Sequence, residues 1–418
     1  MGKNETVAPA SNELSNINVG VIDNKSFDVE SAAKDVLENG DPITYILDVF
    51  NKIHIGDRRI GELLALSVGT TCIANCAGIH PKLSGESGKG KSHSGKAMLH
   101  LLPKKYVLHT SLSGKALFYH KIDPGMIVFS DDVRLSEDLE TLIKQATGDF
   151  QLGIEHMTVD VNRSGKTLTI PPRIVWWLAS VDDELDEQTL NRQVGVGVDC
   201  SSETDELVFK HQLDLALTGE SEFPENNGVS VCREIYRIIK EMFVRVVIPF
   251  ADRIEWHGVG NRRNAPIFLD MIKTYALFSY RQRATEIPSD ESLPIIFASE
   301  QDYEMAESLY ADRAETQTTK LTNDELDIVR FLVSYGSADV NKISASVGLT
   351  YQKTRRLLVG RKDGNGGMLG KVTGLSVDDV IREIDEGEKR RICEYSISGF
   401  DLLASYGGIV QLRDIKER

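Results

Sequence analysis

Residues 85–92 read Gly-Glu-Ser-Gly-Lys-Gly-Lys-Ser, which fits the spacing G-x-x-x-x-G-K-[ST]. The pattern carries chemistry only between a strand and a helix, and both neighbours are legible. Residues 80–83 read as a short strand, and 91–101 carry a helical pattern. The glycines let the backbone amides of Gly85, Glu86, Ser87, Gly88, Lys89 and Gly90 turn inward around phosphate groups. Lys91 then places a cation on the β/γ phosphate oxygens, and the Ser92 hydroxyl ligates Mg²⁺. ATP and Mg²⁺ are the cofactors expected. A merely flexible glycine-rich loop is the alternative, and the flanking elements argue against it.

A phosphate loop of this kind needs an acidic strand. Met-Ile-Val-Phe at 126–129 is an apolar run ending in Ser130, Asp131 and Asp132. One carboxylate is expected to hold the magnesium shell and the other to polarise the attacking water. Two registers are open: Asp131 with Asp132, or Ser130 with Asp131 one step earlier. The acids could also cap a following helix. A third apolar run, 174–179, ends in Ser180, a candidate for sensing the γ-phosphate or an ordinary strand-end serine.

Between the last two runs, Met157, Val159 and Val161 alternate with polar residues up to a turn at 162–166, and Leu168 and Ile170 alternate on the return. That is a β-hairpin whose tip carries Arg163 and Lys166. Both are candidates for nucleic-acid phosphate contacts, though a purely structural hairpin fits the pattern equally. Arg192 and Arg263, taken singly, read as ordinary solvated arginines.

At 418 residues the chain is long enough for two or three domains. With 48 Lys and Arg against 63 Asp and Glu, the formal charge of −15 excludes a generally basic nucleic-acid coat, so any such contact must be local. No apolar run approaches the roughly 20 residues that span a bilayer, and no membrane partner is expected. Five scattered cysteines argue against a disulfide framework and for a reducing, cytoplasmic setting. Cys72, Cys76 and His80 are four apart, but a fourth zinc ligand is not evident.

The fold class expected is α/β with a mostly parallel sheet. Residues 1–42 read as an N-terminal lead-in, 43–228 as the core, 229–318 as helical, and 319–418 as three helices followed by strands. Helical patterns appear at 29–38 and 43–50. Thr322-Asn-Asp-Glu325 is a capping box opening a helix with Leu326, Val329, Leu332 and Val333 on its apolar face. Residues 351–362 hold five basic residues and no acid. In a winged helix-turn-helix this last helix enters the major groove, with Tyr351, Lys353, Arg355 and Arg356 as the candidate DNA contacts. A protein-binding or regulatory winged helix fits as well, because an exposed basic helix is often just a solvated face.

The order of phosphate loop, acidic strand, hairpin, polar strand, arginine and helical segment resembles AAA+ ATPases. More closely, it resembles the minichromosome maintenance (MCM) helicases and the MCM-like modules attached to primases in archaeal mobile elements. Leu190-Asn-Arg192-Gln-Val-Gly-Val is similar to their arginine-finger segment, and Asp205-Glu-Leu-Val-Phe-Lys-His211 to the helix after it. Arg263-Asn-Ala-Pro-Ile-Phe-Leu-Asp resembles the helix with their second sensor arginine, and 157–173 their hairpin before the first sensor. The acidic pair departs from the family in being Asp-Asp.

The resemblance implies an AAA+ core with a helical lid and a trailing winged helix. It implies catalytic roles for Asp131, Asp132, Ser180, Arg192 and Arg263, with Arg192 entering a neighbour's site. It implies a homo-oligomeric ring, best taken as a hexamer, with hairpins gripping single-stranded DNA in its pore and duplex DNA as a second partner at the winged helix. The activity implied is an ATP-driven DNA translocase or helicase in replication. An ATP-switched DNA-binding initiator, or a regulatory ATPase that does not unwind, is the alternative.

Overall fold

The computed structural model describes residues 27–85, 87–109, 122–131, 137–159, 165–179, 192–256, 262–289, 293–319, 322–360, 367–372, 374–385, 388–398 and 410–413. At its centre is a parallel sheet of five strands: β1 (Pro81–Ser84), β2 (Val107–His109), β3 (Ile127–Asp131), β6 (Val175–Ala179) and β7 (Val194–Gly197), in the order β2-β3-β6-β1-β7. The α/β class and the parallel sheet are therefore as expected. An antiparallel hairpin of β4 (Ile154–Val159) and β5 (Gly165–Ile170) stands beside the sheet as a separate ribbon.

The central strands are apolar on both faces, as a sheet covered on both sides requires. In β6, Val175, Trp177 and Ala179 point to one face, and Trp176 and Leu178 to the other. The first face is covered by α3 (Arg58–Thr70) and α4 (Lys91–His100), reached from α1 (Val29–Asn39) and α2 (Pro42–Ile53). The second is covered by α5 (Glu137–Gly148) through Leu139, Leu142 and Ile143. Both tryptophans of β6 are fully buried. Each removes on the order of 200 Å² from water, about 5 kcal/mol as an upper bound.

Aspartates open the first two helices, Asp28 accepting from the Ser31 amide and Asp41 from the Thr44 amide. Ala33 and Leu37 of α1, inside the stretch read as a lead-in, pack into the same hydrophobic cluster as the sheet. α6 (Ser202–Thr218) follows β7, and none of its residues is fully buried. α7 (Asn227–Lys240), α8 (Asn264–Phe278) and α9 (Glu300–Thr319) follow.

The 229–318 region is not all helix. Short strands β8 (Arg245–Val247), β10 (Thr285–Glu286) and β11 (Ile295–Phe297) form a small sheet there, and β9 (Ile254–Trp256) lies between. Pro249, Pro288 and Pro294 border these segments and hold their neighbours extended.

The C-terminal part has its own core, built from Leu326, Ile328, Val329, Leu332, Ile343 and Leu358 among others. It comprises α10 (Asn323–Tyr335), α11 (Val340–Ser346), α12 (Tyr351–Val359), the short α13 (Met368–Lys371), and the antiparallel strands β12 (Ser337–Asp339), β13 (Leu375–Asp385) and β14 (Glu388–Ile397). The capping box forms as expected, with Thr322 and Glu325 each accepting from the other's amide. Ile328, not Val333, completes the apolar face of α10. β15 (Val410–Leu412) was expected among the C-terminal strands, but it pairs antiparallel with β9. Val410 belongs to the main core, and an Arg413–Glu255 ion pair closes that edge.

Candidate active site

The phosphate loop leaves the C-terminal end of β1 and opens α4. Gly85, Gly88 and Gly90 all have positive φ. At Gly90 the value is +95°, and a Cβ there would meet His54 Cε1 at 3.2 Å, so a side chain would be strained and crowded at once. Gly90 is the N-cap of α4 and offers no side chain to the helix's first amides. Those amides and the positive end of the helix dipole are left to an anion. Ser87 is exposed, and Glu86 lies outside the described residues.

Lys91 is only 4% exposed, and its Nζ donates to the Gly85 carbonyl at 2.9 Å. The lysine is thus folded over the loop that its cation serves. Lys89 pairs instead with Asp205 near the start of α6.

The second half of the site comes from β3. The Ser92 hydroxyl donates to Asp131 Oδ1, and Lys96 Nζ lies 2.8 Å from Asp131 Oδ2. Burial pushes the Asp131 carboxyl up, but the hydrogen bonds from Lys96 and Ser92 outweigh it and hold it below the usual carboxylate range. Asp131 is therefore ionised at neutral pH. A hydroxyl and a carboxylate in contact are the oxygen donors that a hard cation takes, so these residues fit Mg²⁺, with phosphate and water to complete its shell.

Asp131, rather than Ser130, faces Ser92; the Ser130 hydroxyl is buried without a hydrogen-bond partner. Asp132 and Ser180 lie outside the described residues. β6, which ends one residue before Ser180, runs between β1 and β3.

Sequence reasoning missed a chain of side chains behind the loop. His54 Nδ1 and His93 Nδ1 are 2.7 Å apart, so one of them donates to the other. His54 Nε2 lies 2.8 Å from Asp57 Oδ2, and His93 Nε2 lies 3.1 Å from Glu222 Oε1. Burial and the neighbouring His54 lower the pKa of His93. The Asp57 carboxylate also accepts from the Asp199 amide and so ties the start of α3 to the segment after β7. Lys96 was missed as well. Its only signal was its place four residues after Ser92 on a helix.

The remaining candidates are scattered. Arg192 precedes β7, and its Nη1 donates to the Lys144 carbonyl in α5 at 2.6 Å. Because β1 and β7 are parallel, with Pro81 opposite Val194, Arg192 lies at the opposite end of the sheet from its own phosphate loop. Roughly 20 Å of strand separates them. Arg263 stands at the start of α8. Farther along that helix, buried Asp270 accepts from the Ala77 and Gly78 amides just before β1 and pairs with Lys273.

Arg163 lies outside the described residues. Lys166, the last residue of the expected turn, is already in β5 opposite Thr158. On α12, Tyr351, Arg355 and Arg356 are exposed, while Lys353 Nζ lies 2.9 Å from Asp324 of α10.

No group of three or more His, Cys, Asp or Glu is placed for a metal among the described residues. Cys72 and Cys76 are buried free thiols, and His80 Nδ1 accepts from the Trp176 amide at 3.3 Å. Among the described residues no helix is long and apolar enough to cross a membrane.

A family model described as the MTBMA_p00010 P-loop domain matches residues 27–242. The uncharacterized protein MTBMA_p00010 of Methanothermobacter marburgensis is 26% identical over 320 residues. That match covers 73% of this chain but only 39% of the relative's length.

Proposed function

We propose a function from one premise: the chain belongs to the MTBMA_p00010 P-loop domain family. A P-loop domain is the mark of a nucleotide-binding NTPase, usually with Mg²⁺. On our reading the nucleotide is ATP, and the chain hydrolyses it as an AAA+ enzyme of the MCM-like type, driving translocation on DNA during replication. The observation that carries this reading is the contact of Ser92, on the helix that follows β1, with Asp131 at the end of β3, two strands separated by β6. That strand order brings loop, acid and the strand leading to Ser180 to one end of the sheet. Gly85, Glu86, Ser87, Gly88, Lys89 and Gly90 would cradle the phosphates, Lys91 would bridge them, and Ser92 and Asp131 would hold magnesium. Asp132 would polarise water, Ser180 would sense the γ-phosphate, and Arg263 would act as the second sensor from the helical lid.

Arg192 cannot reach its own loop along the sheet, which supports its acting on a neighbour's nucleotide in a ring, best taken as a hexamer. α6 favours assembly too. Phe209, Leu213 and Leu217, spaced by four on one helical face, are each more than half exposed. The β4–β5 hairpin would carry Arg163 and Lys166 to single-stranded DNA in the pore. The three helices and antiparallel strands after residue 322 would form a winged helix that meets duplex DNA through Tyr351, Arg355 and Arg356. With Lys353 bonded to Asp324, its share of that contact is smaller.

The hairpin favours a translocase over an initiator that only switches on DNA, since such initiators generally lack it. A strand-displacement assay on forked DNA decides between them. ATP-dependent release of the labelled strand is the expected result. DNA binding and ATP hydrolysis without release would leave the initiator reading standing.

A further inference from the structure

Ser92 and Lys96 are four residues apart on α4, so they project from one face of the helix. Between them, Gly95 lets that face approach β3 closely: a Cβ at this position would lie 2.5 Å from the Phe129 ring. The approach brings both side chains to Asp131, and they divide its carboxylate, Ser92 on Oδ1 and Lys96 on Oδ2. A divalent ion held by Ser92 and Asp131 needs that same carboxylate. An ammonium and a divalent cation repel across a few ångströms of partly buried space, and one carboxylate cannot compensate both in full.

We propose that Lys96 competes with magnesium for Asp131 and thereby sets how much magnesium the phosphate loop requires. The inference rests on reading that loop as a magnesium–nucleotide site. Lys96 keeps Asp131 aligned with Ser92 and yields the carboxylate as metal enters. Its side chain is 41% exposed, so it can swing to solvent without opening the core. Lys91 differs from it in being buried and bonded to the loop carbonyl.

The test uses the full chain and a fluorescent ADP analogue. The quantity read is the Mg²⁺ concentration at half-maximal binding, with Mn²⁺ electron paramagnetic resonance as a direct count of bound metal. Lys96→Met should lower the midpoint roughly two- to fivefold, the factor spanned by a partly exposed ion pair. Lys96→Gln should do the same, which guards against one variant folding poorly, and Lys96→Arg should keep the parent's midpoint. In EDTA, parent and Lys96→Met should bind the analogue alike. A midpoint that stays or rises in both neutral variants overturns the competition while leaving the nucleotide site intact. A parent chain that binds no analogue at any magnesium concentration overturns the nucleotide reading and this inference with it.

Discussion

Ser92 and Lys96 divide the carboxylate of Asp131 between them, one on each oxygen, beside the buried Lys91. Lys91, Ser92 and Asp131 were legible in the sequence because motif spacing is local and its chemistry demands particular residue types. His54 and His93 were not. Their contact joins residues 39 apart and depends on how α2 meets α4, which no spacing rule encodes. Lys96 looked like any helix-surface lysine until the close approach at Gly95 was visible. His80 is a different case: its four-residue spacing from Cys76 left a zinc role without a fourth ligand, and the fold holds the ring buried. Burial lowers its pKa to about 3 from an ordinary 6.5. The folded chain therefore excludes a proton that the unfolded chain accepts below pH 6.5, and stability falls as pH drops from there toward 3. At pH 5 the penalty is about 2 kcal/mol. Urea unfolding of parent and His80→Gln at pH 7.5 and pH 5 should show the parent losing about that much more than the variant. Equal losses would mean that His80 is protonated in the fold.

Whole elements were easier to read where they repeat a strong pattern. In the sheet, β1, β3 and β6 came from apolar runs, the hairpin from strict alternation and the capped α10 from a capping box, while β2 and β7 were not read as strands. Strands of two or three residues, such as β8, β10 and β11, have no period to detect, so their region read as helix. The partner of β15 was invisible because β9 lies more than 150 residues away. Asp270 is the polar anchor of α8, and removing it would take the acceptor from two amides and the counter-charge from Lys273, which would keep its bond to the Asn75 carbonyl, in a largely buried setting. Asp270→Ala should destabilise the chain by about 3 kcal/mol in denaturant unfolding; a change below about 1 kcal/mol would show the anchor to be dispensable. For the hairpin, Arg163→Ala/Lys166→Ala should abolish DNA-stimulated ATPase and spare basal hydrolysis. It should also lower the log–log salt slope of DNA binding by roughly one unit for each phosphate that is no longer neutralised. Unchanged stimulation and slope would make the hairpin structural.

The molecule as a whole carries a catalytic arginine candidate that its own fold keeps from its own nucleotide loop. Two inactive variants should therefore complement each other. Mixed oligomers of Arg192→Ala and Lys91→Ala should recover part of the parental ATPase, because some interfaces then join an intact arginine to an intact loop. No recovery in oligomers shown to be mixed would place Arg192 outside catalysis. The proposed ring and the proposed DNA path both depend on a simpler premise, that the loop at 85–92 works with Asp131 on a magnesium-bound nucleoside triphosphate. The direct measurement is steady-state release of phosphate from ATP with Mg²⁺ by the parent, Lys91→Ala and Asp131→Asn. Turnover by the parent and a loss of about 100-fold or more in each variant are expected; variants that match the parent would contradict the premise.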